Sequence, residues 1–258
     1  MSLGWVNRRC TGFTLVELLV VIAIMALLAS LLAPAVQGGL GRGQQARCLG
    51  NLRELVAANV LYAQDHGYYS PASDTHTSNN KRWHGARASS AEPFQSTNGF
   101  LTPYLGFTKA VRTCPAARFQ QTSFEAGCGG YGYNAVGVGS RSYEQGFNHL
   151  SDRYGIVPER VLKPTHTVMF TDSAYLDKSG LTEYSFAEPY RFLTDSSPVE
   201  EYGKTTPSVH FRHDLYANVA WCDGHVSAEK LRFSQKAGGQ QKNNLGWLTL
   251  DNSLFDPY

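Results

Sequence analysis

The chain of 258 residues lacks an excess of charge of either sign, because 23 Lys and Arg stand against 21 Asp and Glu and give a formal net charge of +2. Proteins that bind nucleic acids usually show a marked basic excess, so we predict no nucleic-acid partner. Only 17% of the residues are charged, whereas 42% are hydrophobic. A disordered chain would show the opposite balance, and the composition therefore predicts a folded core.

Motifs that mark common enzymes are also missing. The sequence contains no Gly-x-Ser-x-Gly, no His-Glu-x-x-His and no complete phosphate-binding Gly-x-x-x-x-Gly-Lys-Ser/Thr loop, since Gly203-Lys204-Thr205 has Pro198 where the first glycine is needed. The stretch around Gly137 and Gly139 has Ser142 where a dinucleotide fingerprint needs a third glycine. Cysteine is scarce, with five in all and no Cys-x-x-Cys pair, which argues against a zinc ribbon or a dithiol redox motif. We therefore predict no enzyme, no catalytic residue and no cofactor.

What the sequence does contain is one long apolar run, from Phe13 to Val36, with Glu17 as its single charged residue. These roughly 24 residues would form a helix about 36 Å long, enough to cross a hydrocarbon core of about 30 Å. A cleaved secretory signal has a shorter apolar region of about 7–15 residues. A simple anchor fits the length but leaves Glu17 unexplained, since an acidic side chain in the bilayer costs about 2.5–3.5 kcal/mol. We predict a transmembrane helix over residues 13–36.

The residues GFTLVEL, which begin at Gly12, resemble the processing site of type IV prepilins and type II secretion pseudopilins. The resemblance implies that a prepilin peptidase cuts between Gly12 and Phe13, that residues 1–12 are a leader, and that the new N-terminal Phe13 is methylated. It also implies that Glu17, the fifth mature residue, acts in subunit assembly. Finally, it implies a helix kink at Pro34.

Elementary electrostatics supports an assembly role for Glu17. Cleavage would create a positive α-amine at Phe13, and a carboxylate one helical turn away can pair with it or with the amine of a neighbouring subunit. Because an unpaired charge is costly at low dielectric, this pairing would fix the register between subunits. The alternative is that Glu17 lies near the membrane face and extends its carboxylate towards water.

Arg8 and Arg9 before the apolar run predict a cytoplasmic N-terminus by the positive-inside rule, although Arg42 and Arg47 after the run weaken the bias. We predict a single-pass protein of the bacterial inner membrane with a periplasmic head. The expected partners are the prepilin peptidase, inner-membrane lipid and other pilin or pseudopilin subunits. Assembly with those subunits would give an extracytoplasmic homo- or hetero-filament.

The helix is predicted to continue after the apolar run as an amphipathic segment over residues 37–66. Pro34 and the glycines up to Gly43 weaken a helix, so we expect a kinked or unwound section between them. Apolar residues then recur every three or four positions from Leu49 onwards, and Gly67 is placed to cap the C-terminus.

Residues 67–258 are predicted to form a globular, β-rich head. The expected fold class is α+β, with a small antiparallel sheet packed on the helix. Residues 167–171 and 218–222 have the pattern of buried strands, and Asp223-Gly224 predicts a hairpin turn after the second. The polar residues 70–98 are expected to be a long surface loop with little order of its own.

His213 is followed by nine residues and then by Asp223-Gly224, a spacing that resembles the H-X9-DG domain found behind prepilin-type N-termini. The resemblance implies a pseudopilin-like protein. We expect His213 to hydrogen-bond the Asp223 carboxylate across the hairpin. His210 and His225 could add metal ligands, but strand residues alternate between faces and the turn already explains Asp223, so no metal site is predicted.

Cys10 would leave with the leader. The mature chain keeps four cysteines in a compartment that favours disulfides, namely Cys48, Cys114, Cys128 and Cys222. Four cysteines allow three pairings, and a bond between Cys114 and Cys128 would close a loop of about 15 residues worth roughly 3 kcal/mol. The family resemblance touches Cys48 and Cys114 and favours that pair, which leaves Cys128 with Cys222. The alternative is that some of the four cysteines remain buried thiols.

These observations predict a structural subunit of a type IV pilus or a type II secretion-type filament. The alternative is a membrane-anchored extracytoplasmic binding module or hydrolase. In that case residues 70–98 and the histidine-containing hairpin would act on a polysaccharide.

Overall fold

The computed structural model describes residues 14–106, 111–119, 125–145, 148–191 and 204–258. The α-helices in this part of the chain are α1 (Leu15–His66) and α2 (Ser142–Gln145). The strands are β1 (Tyr131–Asn134), β2 (Val168–Asp172), β3 (Tyr175–Asp177), β4 (Gly180–Thr182), β5 (Phe186–Ala187), β6 (Val209–His210), β7 (Tyr216–Trp221), β8 (Val226–Lys230) and β9 (Leu245–Gly246). Short 3₁₀ helices cover Thr102–Tyr104, Ser151–Arg153, Pro158–Arg160, Ala237–Gly239 and Gln241–Asn243.

The first part of α1 is apolar and exposed. The large apolar side chains from Leu15 to Leu32 are all exposed. A window of 18 residues in α1 is apolar enough to cross a membrane by length and composition, and none of that window is buried. The chain divides into two compact units, Met1–Gly43 and Gln44–Tyr258. The apolar part of α1 belongs to the first unit. We refer to the part of the second unit that follows α1, residues 67–258, as the head.

The helix α1 is continuous through residues 34–43, so the expected unwound section is wrong. A proline removes only one helical hydrogen bond, the one to the carbonyl four residues earlier. Each glycine costs a helix roughly 1 kcal/mol relative to alanine but does not prevent it. The helical turns on both sides outweigh these costs, and a bend at Pro34 within the continuous helix stays a prediction.

The last part of α1 packs its apolar stripe into the head. Leu52, Leu55 and Val56 are at most 3% exposed, as the periodicity of the sequence predicts. Gly67 directly follows the helix with φ = 80°, and its N–H donates to the Ala63 carbonyl oxygen at 2.8 Å. Because a side chain is strained in this left-handed conformation, glycine is the suitable residue there. The cap expected at Gly67 is confirmed.

The main sheet of the head has five strands in the order β5-β1-β2-β7-β8. The pairs β1–β2, β2–β7 and β7–β8 are antiparallel as expected, but β5 is parallel to β1, so the sheet is mixed. Strand β2 is buried over its whole length. The hairpin between β7 and β8 is confirmed, with Gly224 at φ = 94° in its turn. The fold is therefore α+β, with a long N-terminal helix and a small sheet.

Residues 70–98 are packed into the head, so the expectation of a poorly ordered surface loop is wrong. Isolated β-bridges hold the segment together, joining Ser73 to Arg82, Lys81 to Ala86 and Ala86 to Gln95. Trp83 is fully buried and donates its indole N–H to the Ser185 carbonyl oxygen at 2.7 Å. The polar composition was misleading because buried polar groups are stable when they are hydrogen-bonded.

Candidate functional site

Glu17 lies in the first turn of α1 and forms a capping box with Thr14. The Glu17 carboxylate accepts hydrogen bonds from the Thr14 backbone N–H at 2.8 Å and from the Thr14 hydroxyl at 2.7 Å. The Glu17 N–H donates to the Thr14 hydroxyl oxygen at 3.2 Å. The signal in the sequence is Thr-x-x-Glu before an apolar run, which the interpretation of Glu17 as a charge alone missed. Glu17 therefore stabilises the helix start in the isolated chain.

Both predicted processing residues, Gly12 and Phe13, lie outside the described residues. Cleavage between them and methylation of Phe13 therefore stay predictions. Pro34 has helical backbone within α1. The exposed first part of α1 is the kind of large apolar surface that marks a membrane or protein contact.

Cys48 in α1 and Cys114 form a disulfide with their Cα atoms 5.2 Å apart. Both residues are fully buried. The N–H of Cys114 donates to the Gly129 carbonyl oxygen at 3.0 Å, which holds this part of the chain next to the start of β1. The pair that the family resemblance favours is confirmed, and it fastens the last part of α1 to the head.

Cys128 and Cys222 are buried free thiols, so the expected second disulfide is wrong. Strands β1 and β7 run in the same direction because each is antiparallel to β2. Cys128 precedes β1 and Cys222 follows β7, which places the two thiols at opposite ends of the sheet. A strand of five or six residues spans about 17–20 Å, far more than the roughly 7 Å between Cα atoms that a disulfide permits.

His213 lies beside the disulfide rather than beside Asp223. Its Nε2 atom is 3.7 Å from the Sγ atom of Cys114 and 3.3 Å from Oδ2 of Asp172 in β2. His213 bridges Tyr216 at the start of β7, whereas Asp223 follows the end of that strand. The expected hydrogen bond between His213 and Asp223 is therefore wrong.

Asp172 is fully buried between the strands that meet near His213. Its Oδ2 atom accepts the N–H of Asn218 at 2.8 Å, and its Oδ1 atom lies 4.0 Å from Nε of Arg212. Arg212 donates from Nη2 to the carbonyl oxygens of Gly130 and Ser173, both at 2.7 Å. These contacts join β1, β2 and the residues before β7 at one point.

Asp223 and Gly224 serve the turn between β7 and β8. The Asp223 Oδ1 atom accepts the backbone N–H of His225 at 3.1 Å and lies 2.6 Å from Nδ1 of that residue. The His225 ring stacks on Trp221 with ring centroids 5.5 Å apart. His210 lies in β6, which pairs with β9 outside the main sheet. The structure thus distributes the histidines and Asp223 that were considered as metal ligands over separate places.

Sequence reasoning missed a buried ion pair between Arg82 and Glu125. Nη2 of Arg82 is 2.9 Å from Oε1 of Glu125, and the two side chains are 3% and 1% exposed. The Ser185 hydroxyl donates a hydrogen bond to Oε2 of Glu125. The same Oε2 atom is 3.9 Å from Nε2 of His84. Burial alone would raise the pKa of Glu125, but the nearby His84 imidazole, the charge and hydrogen bonds of Arg82 and the hydrogen bond from Ser185 lower the pKa to about 2. No motif in the sequence connects these distant residues.

Removal of the Cys48–Cys114 disulfide is expected to destabilise the head by about 2–4 kcal/mol, because a cross-link over a long stretch of chain restricts the unfolded state. The bond joins residues 66 positions apart. Chemical unfolding of the full chain in detergent should show the loss for the Cys48→Ala/Cys114→Ala variant. The matched control is Cys128→Ala/Cys222→Ala, which also removes two buried sulfurs but no cross-link. Equal destabilisation of the two variants would contradict the prediction.

Comparison with known proteins bears on the start of the chain. Residues 7–33 match the family described as the prokaryotic N-terminal methylation motif. The chain carries a prepilin-type methylation motif. The matched residues include GFTLVEL and most of the apolar run.

A region of 63 residues is 37% identical to the type II secretion system core protein G of Aeromonas hydrophila. It covers 24% of this chain and 44% of that protein, so the similarity spans less than half of the relative. No solved structure matches the chain significantly. The sequence similarity therefore concerns a limited region of the chain.

Proposed function

We propose that this protein is a pilin or pseudopilin, a structural subunit of a type IV pilus or a type II secretion-type filament. The observation that carries the proposal is the methylation motif at residues 7–33, which overlaps an exposed apolar helix. A membrane-anchored enzyme needs such a helix but no processing site. A filament subunit needs both, because cleavage frees the start of the helix to contact a neighbouring subunit.

Cohesion in the filament would come from packing between apolar helices. Helices that leave lipid for a protein neighbour gain close packing and hydrogen bonds rather than a hydrophobic transfer energy. The exposed side chains from Leu15 to Leu32 supply the surface for this packing. The carboxylate of Glu17 would add register by pairing with the N-terminal amine of a neighbouring subunit. That pairing would compete with the hydrogen bonds that Glu17 accepts from Thr14.

Before assembly, the same helix would hold the chain in the bacterial inner membrane, in contact with lipid. A cytoplasmic N-terminus and a periplasmic head are part of the proposal; the basic residues Arg8 and Arg9 ahead of the span support them, although Arg42 and Arg47 after the span weaken the charge bias. The Cys48–Cys114 disulfide supports this placement of the head, since disulfides persist in oxidising compartments.

We also propose that His213 and Asp223-Gly224, the C-terminal signature, belong to an H-X9-DG domain and that they stabilise the structure of the head. Two observations support this role. His213 contacts the disulfide and Asp172, and Gly224 adopts the positive φ that the β7–β8 turn requires. The signature would thus stabilise the head that the helix carries.

The mature protein is expected to begin at Phe13 with a methylated amine, because prepilin peptidase would remove residues 1–12. Mass spectrometry of the full protein purified from its membrane would show the loss of the leader and the gain of one methyl group. A native chain that still begins at Met1, or that is cut beyond Pro34, would contradict the proposal.

A matched pair of variants sharpens this test. Gly12→Val should block cleavage, because a bulky side chain then stands at the proposed cleavage site. Gly4→Val makes the same change elsewhere in the leader and should be processed normally. If both variants mature like the unmodified protein, Gly12 does not define the site.

A further inference from the structure

The surroundings of His213 contain three strong metal-ligating side chains in one place. The ligand atoms of Cys48, Cys114 and His213 lie within 4.8 Å of one another, and all three residues are buried. Thiolate sulfur and imidazole nitrogen are preferred ligands of Zn²⁺. In the oxidised protein, the two sulfurs are bonded to each other and are not free to bind a metal.

The spacing of the donor atoms suits a tetrahedral ion. With ordinary bond lengths, such a Zn²⁺ site holds sulfur and nitrogen about 3.6 Å apart, nitrogen and oxygen about 3.3 Å apart, and two sulfurs about 3.8 Å apart. Sγ of Cys114 and Nε2 of His213 are 3.7 Å apart, and Nε2 of His213 and Oδ2 of Asp172 are 3.3 Å apart. The two sulfurs must separate, which reduction of their bond allows, and the Asp172 carboxylate must approach the cysteines, because it is not part of the group whose ligand atoms lie within 4.8 Å of one another.

The charges around the cluster also suit a divalent cation. Two thiolates and the carboxylate of Asp172 would carry three negative charges. The divalent ion and the guanidinium of Arg212, whose Nε lies 4.0 Å from Asp172, would balance them. Within the described residues, Oδ1 of Asp172 accepts no hydrogen bond although it is buried. A buried carboxylate oxygen of this kind is stabilised by a nearby cation.

We propose that Cys48, Cys114, His213 and Asp172 bind a Zn²⁺-class ion when the disulfide is reduced, so that disulfide and metal alternate at one place. A dithiol reductant would supply two electrons and two protons. The S–S bond breaks, two thiols form, and the reductant becomes a disulfide. The metal ion then displaces the two thiol protons and binds both sulfurs.

A cavity beside the cysteines offers a route for the reductant and the metal. Its volume is about 390 Å³, and its lining includes Arg47 and Thr113. These residues directly precede Cys48 and Cys114 in the chain.

The experiment uses the full chain in detergent, reduced with a water-soluble phosphine, which becomes a phosphine oxide by taking oxygen from water. After removal of the phosphine, the reduced chain is titrated with Co²⁺ as a spectroscopic substitute for Zn²⁺. We expect one Co²⁺ per chain with thiolate-to-metal charge-transfer absorption, which Zn²⁺ abolishes. The oxidised chain should show no such absorption.

Variants assign the site to this cluster. His213→Gln should weaken Co²⁺ binding at least about 10-fold, because even the loss of a supporting contact around a bound metal costs that much. Cys128→Ala removes a buried thiol elsewhere in the head and should leave binding unchanged. Equal binding by the His213→Gln variant and the unmodified chain, or loss of binding in Cys128→Ala, would overturn the proposal.

The folding state of the reduced chain decides how a negative titration is interpreted. Near-ultraviolet circular dichroism reports whether the head stays folded after reduction. A folded, reduced chain that binds no Co²⁺ overturns the proposal. If reduction unfolds the head, Zn²⁺ should restore the dichroism, because metal binding is then coupled to folding. Failure of Zn²⁺ to restore it overturns the proposal equally.

Discussion

Glu17→Ala should impair filament assembly while insertion and cleavage continue. The carboxylate of Glu17 is the single charge in the apolar part of α1, and its proposed partner is the N-terminal amine of a neighbouring subunit. Loss of one member of a buried ion pair costs about 3–5 kcal/mol. Since each 1.4 kcal/mol is a factor of ten, the association of subunits should weaken at least about 100-fold. Electron microscopy and sedimentation of sheared filaments would measure the loss.

The capping box provides a sharper variant, because Glu17 also accepts hydrogen bonds from Thr14. Glutamine at this position keeps the capping hydrogen bonds but removes the charge. Glu17→Gln should therefore fail to assemble if Glu17 sets register by its charge. Normal assembly of Glu17→Gln, with a defect confined to Glu17→Ala, would show that Glu17 acts only as a helix cap. Membrane fractionation would confirm that both variants insert.

Arg82→Met should destabilise the head by about 3–5 kcal/mol, because it leaves the buried Glu125 carboxylate without its cation. Both side chains are almost completely buried. Methionine keeps much of the length of the arginine stem, so the change tests charge more than volume. Chemical unfolding of the full chain in detergent, followed by tryptophan fluorescence, would measure the free energy of unfolding.

The matched control is Arg112→Met, which breaks the ion pair between Arg112 and Glu54 at 3.0 Å. More than half of each of these side chains is exposed, so this loss should be at most about 1 kcal/mol. The folded pKa of Glu125, about 2, lies below its usual value of 4.5. Its contribution to stability is therefore present above pH 4.5 and is lost as the pH falls towards 2. Equal effects of the two arginine variants would contradict a special role for Arg82.

Patterns that repeat locally were predictable from the sequence. The stripe with Leu52 and Val56 has helical spacing, and the β7–β8 hairpin carries Asp223-Gly224 at its turn. Gly67 ends the helix for the same local reason, its freedom to adopt positive φ. In each case the residues that decide the structure are neighbours in the chain.

Contacts between distant residues were predictable only in part. The Cys48–Cys114 bond was favoured by a family resemblance, whereas the second pair was wrong because strand direction separates Cys128 from Cys222. Sheet order and direction depend on long-range pairing, which local composition does not encode. For the same reason, the sequence did not predict that His213 lies next to Asp172.

Residues 70–98 show a different limit. Their polar composition predicted a loop, yet Trp83 and Arg82 are buried there. A buried arginine is stable only with a partner, and that partner, Glu125, lies 43 positions away. The composition of a segment indicates how well its side chains suit water when they are free. It does not indicate that a distant residue, here Glu125, stabilises a buried charge such as that of Arg82.

The position of the disulfide has a mechanical consequence for a subunit in a filament. A pulling force along α1 would enter the head at its first packed residues and would tend to peel the helix away turn by turn. Cys48 lies at the beginning of that packed stretch, and its covalent bond to Cys114 blocks the first step of peeling. Tension would then also pass through this bond to the segment around Cys114, instead of acting only on the contacts between α1 and the head.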